Sequence, residues 1–83
     1  MNYRVRLSRD AGAYLARLDR TAQARIHAAL AELTEDPFHR GSKRLNTVPP
    51  RRAVRIGGWR IVYSVDAAAR LVTVAAIGPR GQI

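Results

Sequence analysis

Read for its apolar and polar positions, the chain changes period three times. Tyr3-Arg4-Val5-Arg6-Leu7 alternates apolar and basic residues, the two-residue period of a half-buried strand. From Ala11 the period lengthens. Ala11, Tyr14, Leu15 and Leu18 fall at the i, i+3, i+4, i+7 spacing of one helix face, and Ser8 stands where an N-cap belongs. Asp19 or Thr21 restarts the chain into a second helix. Its apolar stripe is Ala22, Ile26, Ala29, Leu30 and Leu33, with Arg25, Glu32 and Glu35 outside it. Asp36-Pro37 ends that helix, because a proline ring pushes the preceding residue out of the helical region.

Residues 36–50 carry neither period and read as a long connection, which in a small domain points to a functional or mobile loop. After Pro49-Pro50 the short period returns in three runs rich in Val and Ile: Arg51 to Ile56, Trp59 to Val65 and Arg70 to Ile77. Gly57-Gly58 joins the first two as a tight hairpin, and Asp66 to Ala69 joins the next pair. The predicted order is β-α-α-β-β-β, an α+β domain with a helical hairpin packed on one face of an antiparallel sheet.

Taken literally, the two-glycine turn sets a register: Ile56 opposite Trp59, Arg55 opposite Arg60, Val54 opposite Ile61, Ala53 opposite Val62. One face of the ribbon then holds Val54, Ile56, Trp59, Ile61, Tyr63 and Val65 and is the core face. The other holds Arg51, Ala53, Arg55, Arg60, Val62 and Ser64. Like charges directly opposed, as Arg55 and Arg60 would be, are destabilising by up to about 1 kcal/mol when nothing bridges them. An anion between them reverses the sign, and a phosphodiester is the natural one. The alternative is that one arginine reaches a carboxylate on another element, or that both fan into water. If the last hairpin pairs Val65 with Arg70, Ala75 falls beside Arg60, and Ala53 and Ala75 would flank the arginines in a shallow open pocket. The returning tail brings Arg80 toward the same end.

Charge and composition narrow the partners. At 83 residues and 9.2 kDa the chain is one domain, residues 1–83, too short for a separate cofactor domain. It has no cysteine, hence no disulfide framework and no thiolate metal site. No Ser-His-Asp arrangement, phosphate-binding glycine loop or metal-ligand spacing stands out, so no cofactor and no metal are expected. The first residues lack the apolar run of a signal peptide and nowhere do 18 apolar residues follow one another, so a soluble, cytoplasmic protein with no membrane partner is expected. The net charge is +9 and the pI near 11.6. Residues 1–39 are nearly balanced, with six basic and five acidic side chains. Residues 40–83 hold Arg40, Lys43, Arg44, Arg51, Arg52, Arg55, Arg60, Arg70 and Arg80 against Asp66 alone. A GC-rich genome explains the preference for Arg over Lys but not this asymmetry. Arginine suits planar, bidentate phosphate contact, and nucleic acid is the expected partner. His27 and His39 have no paired carboxylate at useful spacing and read as surface residues rather than acid–base catalysts.

Several segments together resemble the RelE/ParE-type toxins of bacterial type II toxin–antitoxin systems. They are the helix end Leu33-Thr34-Glu35-Asp36-Pro37, the stretch Gly41-Ser42-Lys43-Arg44-Leu45, the hairpin Val54-Arg55-Ile56-Gly57-Gly58-Trp59-Arg60-Ile61-Val62-Tyr63 and the closing Ile77-Gly78-Pro79-Arg80. The resemblance runs over essentially the whole chain. It implies a helical hairpin on a curved antiparallel sheet and a small antitoxin that wraps the toxin. RelE-type members cleave messenger RNA in the ribosomal A site without a metal; ParE-type members share the fold and poison DNA gyrase. By the same resemblance Arg60 matches the phosphate-stabilising arginine, Arg55 a basic position on the preceding strand, and Arg80 the basic position of the tail. Lys43, Arg44, Arg51 and Arg52 would then hold ribosomal or messenger RNA.

The chain departs from the RelE-type pattern in two places. The first basic position of the strand is Ala53, and the tail reaches Ile83 without the aromatic, typically Tyr, that takes part in catalysis. The expectation is a metal-independent, ribosome-dependent mRNA endoribonuclease. The alternatives are a gyrase inhibitor of the same fold and a non-toxic RNA-binding module. The positive surplus and the apolar helical hairpin suit an antitoxin that presents acidic residues and an amphipathic helix.

Overall fold

Two short oxygen-bearing side chains set where the helices begin. In the computed structural model, which describes residues 2–79 and 81, Ser8 caps α1 (Arg9–Ala16) and Asp19 caps α2 (Arg20–Glu35). Ser8 Oγ accepts the Ala11 N–H at 3.1 Å and Asp19 Oδ1 accepts the Ala22 N–H at 2.8 Å. Each satisfies one of the amide donors that a helix start leaves without a partner. The buried residues of α2 are those of the predicted stripe, Ala22, Ile26, Ala29, Leu30 and Leu33, and the helix stops at an extended Asp36 before Pro37. Among the described residues no helix is long and apolar enough to cross a membrane.

The strands are β1 (Arg4–Leu7), β2 (Ser42–Leu45), β3 (Arg51–Ile56), β4 (Trp59–Asp66) and β5 (Leu71–Pro79). They form a five-stranded sheet in the order β1-β5-β4-β3-β2. The helices pack on one face, over a core in which Ile26, Leu33, Ile61, Tyr63, Val72 and Val74 are fully buried. The α+β reading holds, with two corrections. Residues 36–50 are not only a connection, since β2 lies within them and pairs antiparallel with β3 from Ser42 opposite Val54 to Leu45 opposite Arg51. The sheet is also mixed: β1 runs parallel to β5, a pairing the long excursion between them allows.

The β3–β4 hairpin keeps the predicted register at every pair. Gly57 takes φ +56, the sign a two-residue turn needs at its first central position and one that glycine adopts without steric cost. The β4–β5 hairpin departs from prediction. Its turn takes in Arg70, at φ +53 with its guanidinium over the Tyr3 ring, while Asp66 Oδ1 accepts the Ala69 N–H at 3.0 Å. Asp66 therefore closes the ladder opposite Leu71, and Val65 pairs with Val72 rather than Arg70. A second shift follows where Tyr63 pairs with Val74 but Val62 with Ala76, leaving Ala75 as a bulge. The Ala75 carbonyl accepts the Ser8 hydroxyl at 2.9 Å, so one side chain both caps α1 and holds the bulge. Both shifts carry Ala75 away from Arg60, which stands opposite Gly78.

The segment before β2 is tied to the sheet. The Tyr63 hydroxyl, fully buried, donates to the Pro37 carbonyl at 2.6 Å. Asp36 Oδ1 accepts the Phe38 N–H at 2.9 Å, and the His39 carbonyl accepts both the N–H and the hydroxyl of Ser42. Tyr63→Phe removes the hydroxyl without opening a cavity and strands a buried carbonyl. The expected loss is about 1–3 kcal/mol, read as a lower urea midpoint at unchanged slope.

Candidate functional site

Arg55 and Arg60 are the second residues in from the Gly57-Gly58 turn, directly opposite each other and on one face. Opposed residues leave their backbones about 5 Å apart, so the two side chains start from the same stretch of this face. That face is the one the helices leave open, because Val54, Ile61 and Tyr63 of the other face are buried in the core. Gly78, opposite Arg60, puts no side chain on the β5 flank. On the other flank Lys43 pairs with Ala53 and so shares the open face. Arg40 joins from the turn before β2, where the Gly41 N–H donates to His39 Nδ1 at 3.0 Å. Arg40, Lys43, Arg55 and Arg60 with Ala53 line an open pocket of about 260 Å³.

Ala53 and Val62 lie on this open face yet are only 7% and 6% exposed. Asp19, Asp36 and Asp66 each accept a backbone N–H. Among the described residues no group of three His, Asp or Glu side chains comes together as a metal site would need. What the pocket offers a ligand is guanidinium and ammonium N–H donors, the groups that match the oxygens of a phosphate.

The structure sorts the predicted residues into two places. Arg55, Arg60 and Lys43 share the pocket, and Arg80 lies outside the described residues. Arg51 opposes Leu45 at the far end of β3, and Arg44 opposes Arg52 on the helix side of the sheet. These three line a second pocket of about 280 Å³ with Phe38, Pro50 and Val65. The flank expected from Ala75 is absent, and Gly78 and β2 border the arginines instead. Sequence reasoning passed over Arg40 and the strand that carries Lys43. The available signal was Pro49-Pro50, a chain reversal that implies an antiparallel neighbour just before β3. His27 is exposed, as expected. His39 is not a free surface residue: it is half-buried, its Nδ1 holds the turn, and its Nε2 is buried without a partner among the described residues.

With this geometry in place, the sequence model of the family described as ParE toxin of type II toxin-antitoxin system, parDE, matches residues 5–83. No curated protein matches the chain. Among solved structures it is similar to a chain of the archaeal RelE–RelB complex from Pyrococcus horikoshii OT3, at 23% identity over all of both chains and a TM-score of 0.86. It is also similar to a chain of the toxin–antitoxin complex RelBE2 from Mycobacterium tuberculosis, at 24% identity over 96% of this chain and 100% of that one, with a TM-score of 0.83. The isolated E. coli RelE toxin gives 24% identity over 93% of this chain and 83% of that one, with a TM-score of 0.80. These structural likenesses establish the fold. With the family match over nearly the whole chain, they place the protein in the RelE/ParE superfamily, as a toxin of a type II toxin–antitoxin system.

Proposed function

We propose that this toxin is a metal-independent, ribosome-dependent mRNA endoribonuclease in which Arg60 and Arg55 stabilise the transition state. The observation that carries the reading is the pair itself: two arginines opposed across a hairpin, on the face the helices leave open, in a pocket also lined by Lys43 and Arg40. In the reaction a 2′-hydroxyl attacks the adjacent phosphorus, the P–O5′ bond breaks, and the hydroxyl proton ends on the departing 5′-oxygen. Negative charge grows on the equatorial oxygens of the five-coordinate intermediate. Guanidinium groups already held at that position stabilise it without reorganising. Arg80, on the family's basic tail position, is the third proposed catalytic arginine. Lys43, Arg44, Arg51 and Arg52 hold messenger or ribosomal RNA on either side of the reacting phosphate.

A cognate antitoxin is the second partner, supported by the likeness to chains from RelE–RelB and RelBE2 complexes. A surface of charge +9 calls for acidic residues on that protein. Ala53, where RelE-type toxins carry a basic residue, and the ParE family match favour a second reading, a gyrase inhibitor with no nuclease activity. Supercoiling by purified gyrase in the presence of the toxin separates the two.

Two outcomes test the nuclease. Expression of the native chain in bacteria should arrest growth and leave transcript ends positioned by codon, and Arg60→Ala should slow cleavage by about 10²–10³-fold. Equal arrest by both forms without such ends sinks the reading. Arg55→Thr should slow cleavage as well, yet raise stability by about 0.2–1 kcal/mol in low salt by removing a like-charged cross-strand neighbour. Urea melts at two salt concentrations check this, and the gain should shrink as salt rises.

A further inference from the structure

We propose that the second pocket, at the Arg51 end of β3, holds one nucleobase of the RNA strand whose phosphate lies between Arg55 and Arg60. This rests on the nuclease reading for what occupies the first pocket. Phe38 is 49% exposed, one of two exposed large apolar side chains among the described residues. The Arg52 guanidinium lies over its ring, 5.4 Å from the centroid. Arg52 is itself held, donating from Nε at 3.2 Å and from Nη2 at 2.7 Å to Ser42 Oγ. Ser42 Oγ in turn donates to the His39 carbonyl at 2.8 Å. A flat ring and a flat guanidinium are therefore preset before any ligand arrives, and these are the surfaces on which unpaired bases stack.

The walls fit the same occupant. Arg44 and Arg51 line the same pocket as the ring, and no carboxylate lines it. The two pockets also share lining residues with a third depression. β2 is the edge strand, and its alternation sends Lys43 to the first pocket and Arg44 to the second. That depression, of about 250 Å³, shares Arg44 and Pro50 with the second pocket and Leu45 with the first. A single strand can thus pass around the free edge of β2 with cations along its path. An acidic helix would need an apolar stripe to dock, and this pocket offers one ring, one proline and a half-buried Val65.

The test uses the purified toxin with a short oligouridylate and with the same length of abasic ribose-phosphate chain, read by fluorescence anisotropy. Phe38→Ala should weaken oligouridylate binding about 5- to 150-fold while changing abasic binding less than about twofold. Phe38→Trp should retain the affinity and show quenched emission on binding, whereas Phe38→Leu should behave like the alanine variant. The residue is half exposed, so these variants should melt like the native chain. Equal losses on both probes, or no loss on either, overturn the proposal. Unchanged RNA affinity with weakened binding of an acidic amphipathic peptide assigns the pocket to a protein partner instead. If the native toxin binds neither probe, both this inference and the RNA reading fall. Phe38-dependent binding without codon-positioned transcript ends keeps the base site and removes the nuclease.

Discussion

The register of the β3–β4 hairpin is the constraint on which core and site both depend. Side chains alternate faces along a strand, so a slip of one residue would exchange the two faces completely. Val54, Ile61 and Tyr63 would leave the core, and Arg55 and Arg60 would be forced into it. Burying two guanidinium groups without partners is far more costly than any local strain in the turn. The hydrophobic effect thus enforces the position of the charges. A two-glycine turn with positive φ at Gly57 makes the required register locally comfortable as well.

Contacts distant in sequence then give this charged pair its surroundings. The Ser8 hydroxyl holds the Ala75 carbonyl, and the resulting bulge brings Gly78 rather than a bulkier residue opposite Arg60. The buried Tyr63 hydroxyl holds Pro37, and the turns that follow deliver β2 to the free side of β3. Lys43 and Arg40 reach the pocket only because β2 pairs there. Packing, not local preference, makes the pocket cationic on that flank.

The pocket is also where the molecule is least consistent with itself. Elsewhere caps, stripes and strand residues agree with their places in the fold, as in a sequence that specifies one structure. At the hairpin like charges oppose each other, and at the Arg51 end of β3 an aromatic ring stands half in water beside three arginines. In the proposed function both arrangements serve one ligand, an RNA strand lying across the edge of the sheet.

What the sequence determined by itself is what a few neighbouring residues can decide. The caps at Ser8 and Asp19, the buried stripe of α2, its stop before Pro37 and the pairing of Arg55 with Arg60 each depend on groups close together along the chain. The α+β class and the shared face of Arg55 and Arg60 were legible for that reason. The strand β2, the bulge at Ala75, the parallel pairing of β1 with β5 and the separation of Arg44 and Arg52 from Arg55 and Arg60 were not. Ser42–Leu45 has only four residues and no strong period of its own, and it becomes a strand because β3 offers it a ladder. Ala75 bulges because a hydroxyl sixty-seven residues earlier in the chain takes its carbonyl. Only the tertiary structure decided these, since the groups that set them meet only when the chain has folded.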